Sequence, residues 1–138
     1  MKHACKIALL LFPLLLARQL MGGQQGPCFQ RATTQKELND CAAEDFRNAD
    51  AELNEIYRKV LLKYSGDAQA SDRIKKAQQA WIAFRDAHID SLFQALDKVK
   101  YGSVYEMCRL MQLTNLTTER TRMLKAMLEP KEGDVCKQ

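Results

Sequence analysis

From Thr34 onward the apolar residues recur every three or four positions, the period of helices that bury one face. The first run is Leu38, Ala42, Phe46, Ala49, Leu53, Ile56/Tyr57, Val60 and Tyr64. Thr34 and Glu37 have the spacing of a capping box that would start this helix. Gly66, in Ser65-Gly66-Asp67, suits a left-handed stop. A second run follows Ser71: Ile74, Ala77, Trp81, Phe84, His88, Leu92, Ala95 and Val99, broken at Tyr101-Gly102. Ser103 and Glu106 repeat the capping-box spacing and would open a third helix. It carries Val104, Met107/Cys108, Met111, Leu124 and Leu128 around a wetter middle with Thr114, Thr117 and Thr121. Strand-like alternation and internal repeats are both missing from the pattern. The prediction is an all-α fold, a three-helix up-down-up bundle with its first and third helices parallel.

The segment before this pattern reads differently. Residues 1–23 contain Lys2, Lys6 and Arg18 and no acid, with an apolar stretch from Ile7 to Ala17 interrupted by Pro13. That is the layout of a cleavable export signal, and it is too short to span a bilayer. Cleavage is expected after Gly22 or Gly23, giving a periplasmic or secreted protein with no stable membrane insertion. The division of the chain is then a signal at 1–23, an extension at 24–33, the helical domain at 34–129 and a tail at 130–138.

Charge and cysteine content follow from that division. The whole chain has 21 basic and 17 acidic residues, but without the leader the balance is 18 to 17. A net charge of +1 does not provide the clustered basic face that nucleic acid requires. Cys28, Cys41, Cys108 and Cys136 remain after cleavage, an even number in an exported domain, so disulfides are expected to staple the bundle. Their spacings of 13, 67 and 28 residues fit no zinc ribbon. In the up-down-up arrangement Cys41 and Cys108 both lie about 8–10 Å below the same end, using about 1.5 Å of rise per residue. The expected pairs are therefore Cys41–Cys108 and, by default, Cys28–Cys136.

Candidate chemistry is sparse. His3 lies in the leader, which leaves His88 as the only histidine available to a triad, and Asp86 and Asp90 at two residues either side project away from it. No catalytic residue, metal site or cofactor is assigned. Trp81 is the largest core anchor, and Arg85, one turn later, is placed to stack on it or bond a neighbouring helix.

Several residues together resemble a known family. They are Leu53-Asn54-x-x-Tyr57, then Gln78-x-x-Trp81-x-x-Phe84-Arg85-Asp86, bracketed by Cys41 and Cys108 and followed by Thr118-x-Arg120 and Met123-Leu124. In this order they resemble the LprI-type domain, named for a bacterial lysozyme inhibitor, over about residues 35–128. Many members have a cysteine where this chain has His88, so the family's disulfide pattern does not carry over whole. The resemblance implies an exported helical domain and, for some members, binding to lysozyme; the single usable histidine argues against an enzyme. A lysozyme-type muramidase works with two carboxylates in a cleft, and the Ser65–Ser71 and Lys98–Ser103 connections are candidates to enter it. The alternative is a non-inhibitory envelope adaptor or stress-response binding module.

Overall fold

The computed structural model describes residues 26–93 and 98–129; residues 1–25, 94–97 with Ala95, and 130–138 with Cys136 lie outside the described residues. The elements in chain order are α1 (Pro27–Arg31), α2 (Gln35–Lys63), α3 (Ala68–Leu92), α4 (Lys98–Tyr101), a 3-10 turn (Gly102–Val104) and α5 (Tyr105–Leu128). The described residues are helical, without strands. The three long helices run up-down-up.

α2 begins where the capping box places it. Thr34 Oγ1 accepts the Glu37 amide at 3.2 Å, and Glu37 Oε2 accepts the Thr34 and Thr33 amides at 2.9 and 2.7 Å. These donors, led by the Thr33 amide, lower the Glu37 pKa from 4.5 to about 2. Because the folded pKa is depressed, the cap's contribution is fully present above about pH 4.5 and fades as pH falls towards 2. Thr34→Ala should cost about 1 kcal/mol at neutral pH. Chemical denaturation at pH 7 checks this, and the deficit of Glu37→Gln relative to the parent should shrink as pH falls towards 2.

α2 and α5 pack side by side and in parallel. At one end Asn39 Nδ2 donates to the Ser103 carbonyl at 3.3 Å; at the other Lys63 Nζ donates to the Met127 carbonyl at 2.8 Å. α3 returns antiparallel, and its two ends close two apolar clusters. Ile89 packs with Phe29, Cys41, Ala42, Leu110 and Leu113, while Ile74 packs with Leu53, Ile56, Val60 and Leu124. Between them the buried residues of α5 are the hydroxyl-bearing Thr117 and Thr121. The bundle therefore has a polar waist.

Several boundaries differ from expectation, each for a local reason. α3 starts at Ala68 because Asp67 caps it, accepting the Ala70 amide at 2.9 Å, while the Ser71 hydroxyl donates to the Tyr64 carbonyl. Gly66 is not left-handed; among the described residues only Gly102 has a positive φ, 59°. α3 ends at Leu92, and the Phe93 ring sits edge-on to Tyr105 at 5.8 Å. Val99, which extends the apolar period in the sequence, is 94% exposed. Ser103 makes no cap, because the chain enters α5 already helical at Val104 and the Ser103 carbonyl is bonded from Asn39. Pro27–Arg31, read from the sequence as part of an extension, forms α1 and buries Phe29 in the core.

The expected disulfides are overturned. Cys41 bonds to Cys28, with Cα atoms 5.7 Å apart, and so neither Cys41–Cys108 nor Cys28–Cys136 forms. α1 folds back over the start of α2 and brings Cys28 to Cys41. Cys108 is a free, half-buried thiol. The depth argument omitted direction: Cys108 is two positions before the buried Leu110, about 200° around an α-helix, and faces away from the α2 seam. The parallel arrangement of α2 and α5 stands without that bond.

Candidate functional site

Most of the family-motif residues meet at the polar waist, with Phe84 the exception. α3 contributes Gln78, Trp81, Arg85 and Asp86, spaced so that the first three share one face. α2 contributes Asp50, Leu53, Asn54 and Tyr57, and α5 contributes Arg120. Leu53 is core, 2% exposed, while Tyr57 and Trp81 are half-buried and pack against the cluster that Leu53 belongs to.

Trp81 is the centre of the group. The Arg85 guanidinium lies 5.3 Å from its ring centroid and the Arg120 guanidinium 5.9 Å, both within the range of cation–π attraction. Arg85 is largely covered and held by acids: its Nη2 lies 2.8 Å from Asp86 Oδ1, and its Nη1 lies 4.0 Å from Asp50 Oδ1. Asp50 in turn accepts from Asn54 Nδ2 at 2.9 Å. Arg120 is held differently. Its Nε donates to Gln78 Oε1 at 2.9 Å, and Gln78 is itself buried. Partial burial lowers the Arg120 pKa below its ordinary value, with the neighbouring Tyr57 opposing.

This arrangement explains why the apolar stripe of α3 misleads. The buried side follows Ile74, Gln78 and Ile89, with Trp81 and Arg85 between them, because the Gln78 amide has a partner on α5. Ala77, Phe84 and Leu92, assigned to the stripe, are exposed, Phe84 at 55%. Phe84 stacks on His88, with ring centroids 5.5 Å apart, while Asp86 is occupied by Arg85. Among the described residues, therefore, no carboxylate is set up to make His88 a base. Among the described residues no group of three or more His, Cys, Asp or Glu is placed to hold a metal ion, and no helix is long and apolar enough to cross a membrane.

The two connections named as candidates for a cleft do not act together. The Ser65–Ser71 connection joins the C-terminus of α2, and the 3-10 turn with Ser103 sits against its N-terminus, about 40 Å away for a helix of this length. A groove of roughly 360 Å³ beside the disulfide is lined by Arg31, Glu37, Asp40, Glu44 and Arg47. Its Glu37 is committed to the cap and its Asp40 to Lys36. The Trp81 centre remains, a partly exposed indole framed by two guanidiniums. It suits binding of an anionic group. Asp50 was not singled out in the sequence, and Arg120, part of the family pattern, gains its role because α5 brings it level with Trp81.

Comparison with known proteins agrees with this picture of the fold. The family described as lysozyme inhibitor LprI matches residues 28–124, from α1 almost to the end of α5. An uncharacterized protein of Rhizobium meliloti (strain 1021) is 38% identical over 122 residues, covering 80% of this chain and 85% of that protein. No solved structure matches. A match spanning both core clusters and the whole Trp81 centre means that this chain belongs to the LprI lysozyme-inhibitor family.

Proposed function

We propose that this protein is exported and inhibits a lysozyme-type muramidase by binding it. The family match over residues 28–124 is the observation that carries this reading. The exposed part of the Trp81 centre gives it a physical basis, since Trp, Tyr and Arg are the side chains that most often dominate protein–protein binding energy. With 18 basic and 17 acidic residues outside the leader, long-range steering is weak. Affinity then depends on short-range complementarity, and it should vary little with salt.

Clearing of a bacterial cell-wall suspension by lysozyme, followed by turbidity, tests the proposal. The oxidised mature protein at micromolar excess should slow clearing in a dose-dependent way; unchanged clearing contradicts inhibition. The intact mass of the protein purified from the cell envelope should place the N-terminus between Gly22 and Gln25.

A further inference from the structure

We infer that Arg120, framed by Trp81 and Gln78, is a binding site for a carboxylate side chain presented by the partner protein. This deepens the proposed function and rests on it for the identity of the partner. Two guanidiniums flank one indole but are treated unequally. Arg85 has Asp86 and Asp50. Arg120 has the neutral Gln78 amide, and among the described residues no carboxylate lies within ion-pair distance of it.

A half-buried cation without a counter-charge has lost part of its hydration and recovered little of that cost. The lowered pKa of Arg120, caused first by burial, is consistent with this. Its Nε is fixed by Gln78, so the guanidinium plane is preorganised while its Nη groups remain for a ligand. Guanidinium and carboxylate match as a two-pronged pair. One turn earlier on α5, the fully buried Thr117 hydroxyl oxygen also has no hydrogen-bond partner, so the waist as a whole is not closed on itself. Trp81, Tyr57 and the guanidiniums surround the position with the residue types that anchor protein partners.

Trp81 is the only tryptophan in the chain, so its emission reports on this site alone. The mature protein is titrated with a tryptophan-free peptide carrying Asp and Glu, in parallel with sodium chloride at matched ionic strength and with N-acetylmuramic acid. The peptide should produce a saturable change in Trp81 emission that chloride does not reproduce. Arg120→Gln should weaken peptide binding at least about tenfold, the loss expected for a charged hydrogen-bonded pair. Arg120→Lys should recover part of it, keeping the charge but not the fork. Arg122→Gln, altering an exposed arginine paired with Glu119, should change nothing. Circular dichroism establishes that each variant is folded.

An equal response to chloride, or unchanged affinity in folded Arg120→Gln, overturns the inference. N-acetylmuramic acid binding about tenfold or more tighter than the peptide overturns its assignment to a protein, placing the ligand in the cell wall. The lysis assay separates the two proposals. If Arg120→Gln inhibits as well as the parent, the Arg120 site is wrong and inhibition stands. If the parent fails to inhibit but the titration behaves as described, the carboxylate site stands without the muramidase.

Discussion

Replacing Trp81 by Ala lowers the melting temperature by about 10–20 °C, the equivalent of roughly 3 kcal/mol in a domain of this size. The indole packs against the cluster of Leu53, Ile56, Val60, Ile74 and Leu124, and its ring offsets the burial of two guanidiniums. Deleting it removes apolar contact and leaves Arg120 with Gln78 alone. The estimate sits at the low end for aromatic truncation because Trp81 is only half-buried. Trp81→Phe should retain most of the packing and cost about 1 kcal/mol, from the weaker cation–π contacts. Thermal unfolding followed at 222 nm measures both. An Ala variant that melts within about 1 °C of the parent would show that the indole does not hold the waist together.

The second large effect belongs to the disulfide. Cys28→Ser should destabilise the oxidised protein by about 3 kcal/mol, the loop-entropy value for so short a ring, and reduction of the parent should cost the same. The bonded cysteines are 13 positions apart, and the bond ties α1, with its buried Phe29, to α2. Cys108→Ser should cost under about 1 kcal/mol, since that thiol is unbonded and half-buried. Non-reduced peptide mapping should recover Cys28 linked to Cys41, with Cys108 outside that pair. A fragment linking Cys41 to Cys108 would contradict the pairing.

The sequence showed the helices well and the polar contacts poorly. Thr34 with Glu37 marked the start of α2 because both halves of that box are local. Leu38 to Val60 marked its buried face because that face meets α5 along most of its length, with Ala42, Ala49, Leu53, Ile56 and Val60 all buried. Ser103 with Glu106 has the same spacing and forms no cap, since the preceding residues are already helical. On α3, counting apolar residues selected Phe84 over Gln78, and no local rule reveals that the Gln78 amide is satisfied by Arg120, 42 residues away. Cys108 was misassigned for a similar reason. Depth along a helix was legible from residue counts, while direction around it depended on which side α2 occupied.

The motif itself was legible as a set, and the structure shows its physical basis. Gln78, Trp81, Arg85 and Asp86 meet Asp50, Tyr57 and Arg120 at the level where the two apolar clusters part. This centre ties α3 to α5 by one hydrogen bond and to α2 by an ion pair, and it leaves part of the indole exposed. That combination supports both a structural role for the motif and its use as a contact surface.

The most direct test of that joint role is amide hydrogen exchange of the oxidised protein with and without lysozyme. The account predicts slowed exchange in the segments around Gln78–Asp86 and Thr117–Arg120, with the Ser65–Asp67 turn and the α1 groove unchanged. Protection confined to that turn or that groove, or no protection at protein and lysozyme concentrations where clearing is inhibited, would contradict it.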